Sequence, residues 1–236
     1  MAIDEKPVAV VVGAGPGNGA ALAERFSKGG YRIALLARSA EKLEAMASNI
    51  PHSRAVACDV TDGASIKRAF AQIRETMGKV DALLYNAGSG VFTSVQDLSP
   101  DDFEASWRTN AMGLLLCAQE VIPAMSDKGS GTIIVTGATA SLRGAPKTAA
   151  FAPAKAAQRA LAQSMAKSLW PLGIHVGLLI VDGVVDQPST RSMMGDKPDD
   201  FFVSPAGLAE TAWSLHTQDR QAWSFEVEVR PFGENW

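Results

Sequence analysis

Cysteine is scarce: Cys58 and Cys117 are the only two in 236 residues. That count excludes a disulfide scaffold and suits a reducing compartment, so the cytoplasm is the expected location. Neither sign of charge dominates. The formal net charge of −3 at pH 7 gives no electrostatic reason to expect nucleic acid or an anionic membrane as partner. No apolar run approaches ~20 residues, so no membrane-spanning helix is expected. The opening Met-Ala-Ile-Asp-Glu-Lys has no basic-then-apolar signal pattern. Histidine is rare too, and His52, His175 and His216 are read as structural. No spacing of His, Cys or carboxylates suggests a metal site.

What the chain does have is apolar content, 47% of residues, enough to fill a core between a sheet and two helical layers. Short β-branched bursts fall near residues 8–12, 32–36, 55–57, 82–84, 132–135, 176–180 and 225–229. Segments of helical period lie between them, near 19–28, 41–48, 64–77, 100–125, 149–169 and 205–215. This alternation predicts an α/β fold, a doubly wound Rossmann-type parallel sheet of seven strands with helices on both faces. With no internal repeat or linker, residues 1–236 read as one domain. The least regular stretch is 186–204, which carries Pro188, Met193, Met194, Gly195, Pro198, Phe201 and Phe202. It reads either as a lid over a substrate site or as a surface loop tucked onto the core.

The first strand runs straight into Gly13-Ala-Gly15-Pro-Gly17-Asn18-Gly19, and a helical segment follows. Glycines let backbone approach a pyrophosphate without a Cβ in the way, and the helix start offers free N–H groups and a positive dipole end. The spacing is G-x-x-x-G-x-G through Gly13, Gly17 and Gly19, because Asn18 stands where a strict G-x-G-x-x-G requires glycine. At the end of the second strand a carboxylate would favour NAD(H) and an arginine NADP(H). The chain reads Ala37-Arg38 there. The guanidinium fork suits a 2′-phosphate, so NADP(H) is favoured over NAD(H); the alternative is a solvated surface arginine. Asp59, followed by Val60, closes the third strand, where it accepts from an adenine amino group or caps the loop.

Taken with Asn86-Ala87-Gly88, Thr109-Asn110, Phe151-x-x-x-Lys155 and Asp182-Gly183, the pattern resembles the short-chain dehydrogenase/reductase family over nearly the whole chain. The resemblance puts Asn86, Ala87 and Gly88 near the nucleotide, and backbone around Val185, beyond Gly183, near the nicotinamide carboxamide. It implies four catalytic positions: a tyrosine acid/base, a lysine four residues on, a serine thirteen residues before the tyrosine, and an asparagine in the preceding long helix. The lysine maps to Lys155 and the asparagine to Asn110. The tyrosine maps to Phe151 and the serine to Ala138, with Pro146 supporting the register. The family's usual proline is Asp182, and the threonine that often follows is Gln187.

Both hydroxyls that would touch a substrate oxygen are therefore missing. A lost general acid alone costs about 10²–10⁴-fold in rate. Thr139, Ser141, Lys147 and Thr148 are the nearby candidates to substitute, though such hydroxyls commonly just satisfy local backbone. Two function classes stand. One is an NADP(H)-dependent oxidoreductase with an altered site, acting on a small-molecule carbonyl or alcohol. The other is a non-catalytic NADP(H)-binding sensor, scaffold or partner subunit. The resemblance also implies a homodimer or homotetramer formed through the two long helices.

Overall fold

The structure is a computed structural model that describes residues 6–233; the residues before and after, including most of the opening segment read for a signal, lie outside the described residues. Nine strands and eight α-helices alternate along them. The strands are β1 (Val8–Val12), β2 (Arg32–Ala37), β3 (Ser53–Ala57), β4 (Val80–Tyr85), β5 (Gly131–Ala138), β6 (Ile174–Val181), β7 (Val184–Val185), β8 (Phe202–Val203) and β9 (Glu226–Val229). Seven form one sheet in the order β3-β2-β1-β4-β5-β6-β9, every neighbouring pair parallel. The α/β sheet expected from the alternation is what forms.

The helices are α1 (Asn18–Lys28), α2 (Ala40–Ala47), α3 (Gly63–Met77), α4 (Pro100–Trp107), α5 (Gly113–Lys128), α6 (Phe151–Leu169), α7 (Pro188–Met193) and α8 (Pro205–His216). Side chains alternate across the sheet with the strand period of two. Val8, Val10 and Val12 of β1 point to a core shared with Phe70 of α3, Leu114 of α5 and Met165 of α6. Ala9 and Val11 point to a second core with Phe26 of α1, Leu43 of α2 and Leu215 of α8. One apolar run per strand thus fills two cores, which is why the strands read as continuous bursts.

Chemistry at the helix starts differs in a way that matters for the site. Ser39, Asp62, Ser99 and Ser204 each cap the helix that follows, accepting from a backbone N–H, as N-cap residues do. Helix α1 starts on Gly17 with no side-chain cap and no acidic residue in its first turn. Its positive end is left bare.

The structure differs from the sequence expectation in two places. The helix expected over 100–125 is broken into α4, a π-helical turn over Arg108–Met112, and α5. The wide turn frees the Thr109 carbonyl, which accepts from the Tyr85 hydroxyl. Gly113 makes room for that hydroxyl, since a Cβ there would lie 2.4 Å from Tyr85 Oη. The second place is 186–204, expected to be irregular. It contains α7, a 3₁₀ turn over Asp199–Phe201 and β8, which pairs in parallel with β7. Arg191 holds the segment together: it bonds both Asp186 oxygens, at 2.7 and 2.9 Å, pairs with Asp199, and lies over the Phe202 ring at 4.0 Å. The tie is formed by charges that no hydropathy pattern reveals.

Candidate functional site

Strand order reverses between β1 and β4, which leave the sheet centre toward opposite edges. In such sheets ligands occupy the crevice at the carboxyl ends of the strands beside that switch point. Here a cleft of about 830 Å³ opens at those ends. It runs from Gly13 and Arg38, past Asn86–Gly88, to Phe151, Lys155 and the α7 segment.

Gly13 begins the turn at φ +83°, and an added Cβ would sit 2.5 Å from the Ala87 backbone nitrogen. Only glycine lets these two strand ends lie this close. Asn86 completes the junction, its Nδ2 donating to the Gly13 carbonyl at 3.0 Å. Gly15 meets nothing within 4 Å of where a Cβ would be; it lines open space above the uncapped start of α1. Asn18 also lines the cleft, and its buried Oδ1 has no hydrogen-bond partner among the described residues. Gly17 and Gly19 are not on the cleft wall. Gly19 packs on the Gly13 carbonyl, and Gly17, at φ +94°, lies under the Gln187 side chain. Gln187 therefore rests the start of α7 against the glycine turn.

Arg38 and Asp59 line the far end of the same cleft, with Val60 beside them. Arg38 is exposed. Asp59 Oδ1 accepts from the Thr61 backbone N–H at 2.9 Å and hydroxyl at 2.7 Å. Those two bonds hold its carboxyl below the usual range, with the Arg38 charge assisting. The loop-capping role raised for Asp59 is thus present in the structure.

At the other end, Phe151 opens α6 and Ala138 ends β5; both line the cleft. Lys155, one helical turn after Phe151, is buried at 4% exposure. Its Nζ lies 5.9 Å from the Phe151 ring centroid and donates to the Thr136 carbonyl at 2.8 Å and to Gln158 Oε1 at 3.0 Å. Among the described residues no carboxylate pairs with it, and burial pushes its pKa down to about 7. Asn110 is fully buried and sits in the π-helical turn, a feature frequent at functional sites. Its Nδ2 donates to the Ser89 and Ser106 carbonyls, at 2.6 and 2.8 Å, while its Oδ1 has no partner. A Cβ built on Gly88 would be 3.3 Å from both Asn110 Oδ1 and Lys155 Nζ, so the three residues meet on the cleft floor although Asn110 itself does not line it.

Sequence reasoning missed Gln158. It is fully buried and bridges the site, its Oε1 accepting a hydrogen bond from Lys155 Nζ while its Nε2 donates to the Asn110 carbonyl at 3.0 Å. The available signal was a polar residue three positions after Lys155, on the same buried face of α6. Phe92 was missed as well; its ring meets that of Phe151 with centroids 5.4 Å apart. The candidate replacement hydroxyls are turned to other partners. Thr139 donates to Asp182, which Arg230 also holds at 2.7 Å. Ser141 accepts from the Ala138 N–H at 3.1 Å, and Thr148 bonds the Ala145 backbone. None of the three, nor Lys147, lines the cleft. Gly183 and Val185 do line it, with the Val185 carbonyl accepting from the Thr190 hydroxyl.

A family model for short chain dehydrogenase matches residues 7–197. The chain belongs to that family. Oxidoreductase asL5 of Sarocladium schorii is 34% identical over 172 residues, covering 72% of this chain and 69% of the relative. Among solved structures, a metagenomic short-chain oxidoreductase in complex with NADP is 28% identical with a TM-score of 0.84, covering 97% of this chain and 98% of the other. A 3-ketoacyl-(acyl-carrier-protein) reductase from Brucella melitensis, complexed with NADH, is 25% identical with a TM-score of 0.86, covering 96% and 97%. The fold is thus one that serves both nicotinamide cofactors in different proteins. Among the described residues no cluster of His, Cys, Asp or Glu could hold a metal ion, and no helix is long and apolar enough to cross a membrane.

Proposed function

We propose that the chain is an NADP(H)-dependent oxidoreductase interconverting a small-molecule carbonyl compound and its alcohol, at a site that works without the usual tyrosine and serine hydroxyls. The observation that carries this reading is the continuity of one cleft from the glycine turn and Arg38 to Lys155 and Phe151. The residues present fit a dinucleotide: open space over Gly15, the bare start of α1, and the unpartnered Asn18 Oδ1 as an acceptor for a hydroxyl. Arg38 at the end of β2 is the group that would select a 2′-phosphate.

When bound, the reduced nicotinamide supplies a hydride to the carbonyl carbon. The protein's own residues must then place the carbonyl and deliver one proton to its oxygen. Phe151 and Ala138 can do neither by hydrogen bonding. Lys155 is the ionisable side chain beside them, and near neutral pH it exchanges a proton readily, because burial has brought its pKa to about 7. A water held between Lys155 and Asn110 Oδ1 completes the route, and Lys155 regains its proton from solvent. Holding donor and acceptor in register supplies much of the remaining barrier reduction.

The second reading, a cofactor-binding protein without turnover, is favoured by one observation: the hydroxyls of Thr139, Ser141 and Thr148 are engaged elsewhere. Titration with NADPH and NADH, then turnover against a carbonyl panel, separates the two. Oxidation of NADPH by some carbonyl supports the enzyme; tight binding with no oxidation over days leaves the binding protein. The double change Ala138→Ser with Phe151→Tyr restores both hydroxyls, and about 10²-fold or more gain on some carbonyl is expected. No gain on any carbonyl would refute the mapping of these two positions. Assembly as a homodimer or homotetramer, through the faces of α4–α5 and α6, belongs to the same proposal. So does a cytoplasmic setting, in keeping with two buried free thiols.

A further inference from the structure

Ten large apolar side chains are exposed among the described residues, and five of them, Val91, Phe92, Val95, Met193 and Met194, fall in the two segments that flank the Phe151 end of the cleft. Phe92 is 67% exposed and Met193 is 73% exposed, yet both line the cleft wall. Large apolar patches of this kind mark binding surfaces more often than chance placement. The patch is built rather than incidental. Gly90 leaves room for the Phe151 ring, since a Cβ there would lie 2.6 Å from it. The Phe92 and Phe151 rings then meet at 5.4 Å with a 48° tilt, forming one side of a slot, with Met193 of α7 on the cleft wall as well.

Charge narrows what enters. Arg38, exposed, and Asp59, half-buried, are charged residues on the cleft wall that follow the ends of β2 and β3, away from Phe151. Lys155 is buried and engaged with Thr136 and Gln158. Arg191, the cation within the α7 segment, is held by Asp186 and Asp199. Among the described residues, no cleft-lining side chain at this end offers a phosphate or carboxylate an unengaged cation, and desolvating either against two phenyl rings is unfavourable. Aromatic and thioether side chains instead suit a flat apolar ring.

We propose that the substrate of this cleft is a neutral, ring-bearing ketone or its alcohol, with the ring held on the Phe92–Phe151 pair and covered by Met193. The inference rests on the oxidoreductase reading for the site but is tested by binding alone. The probe is 1-indanone, titrated into protein loaded with NADP⁺ and, in parallel, into cofactor-free protein, with ligand-observed saturation-transfer NMR and calorimetry as readouts. A carboxylated indanone and dihydroxyacetone phosphate are the comparison ligands. The expected result is saturable indanone binding, at least roughly tenfold weaker binding of the carboxylated form, and none of the phosphate. Phe92→Ser and Met193→Ser, both at exposed positions, should each weaken indanone roughly tenfold. The proposal is overturned if charged ligands bind as well as indanone, or if both variants leave its affinity unchanged. It is also overturned if indanone does not bind and the variants instead convert an oligomer to a monomer, because a second copy then covers the patch. Absence of NADP⁺ binding with indanone binding intact would refute the cofactor reading and leave only the ring-binding slot standing.

Discussion

At the level of single residues, the cleft is marked by groups whose burial is at odds with their chemistry. Lys155 is the clearest: an amine at 4% exposure with two neutral acceptors and no counter-charge. Burial holds its pKa at about 7 against an ordinary 10.5. Between those two values the unfolded chain binds a proton that the folded chain does not, so folding stability rises with pH across pH 7 to 10.5 through this group. Lys155→Met should remove that rise. Denaturant midpoints of both proteins at pH 7, 8.5 and 10 check it, reading the difference between them so that other titrating groups cancel; parallel curves would refute the low pKa. Gly13 was legible from the glycine spacing directly after the first strand, whereas Asn86, Asn110 and Lys155 were reached through the resemblance to the short-chain dehydrogenase/reductase family. Gln158 and Phe92 were not legible. Their roles depend on which turn of α6 meets the π-helical turn and on how the loop after β4 folds back, and both are tertiary facts.

At the level of elements, β1 to β6 were readable to within a few residues because each is an apolar burst filling two cores. The break between α4 and α5 was not, since a π-helical turn adds one residue without interrupting the apolar period. The 186–204 segment carries the same lesson in charge rather than hydropathy: Arg191, Asp186 and Asp199 tie α7 to β7 and β8. Arg191→Ala should therefore loosen this segment alone. Exchange of amide hydrogens in 186–204 is expected to quicken severalfold while protection in β1, β4 and β5 is unchanged, as local opening and global unfolding are separate processes. Exchange that quickens across the whole sheet would show that the segment is part of the main folding unit rather than a cover on the cleft.

For the molecule as a whole, the carboxyl edge of the sheet holds the cleft and the amino edge holds a structural histidine that links its layers. His216, at the end of α8, bonds the Tyr31 hydroxyl at 2.8 Å and the Thr132 hydroxyl of β5 at 2.9 Å. Burial, with a smaller contribution from His175 and opposed by Asp81, brings its pKa to about 4. Its folded value lies below the unfolded one, so stability is lost as pH falls from 6.5 toward 4. His216→Gln should flatten that acid limb of the melting temperature, and an unchanged limb would exclude His216 as its source. Ligand binding at the opposite edge provides the complementary test. A cofactor that binds only the folded chain adds about 2.7 kcal/mol at a hundred times its Kd, or roughly 5–10 °C in Tm for a chain of this size. NADPH should raise Tm more than NADH at equal concentration, and Arg38→Ala should bring the two shifts together by removing the partner of the 2′-phosphate. Equal shifts in the unmodified protein would mean that Arg38 is a solvated arginine and that selection of the cofactor lies elsewhere in the cleft.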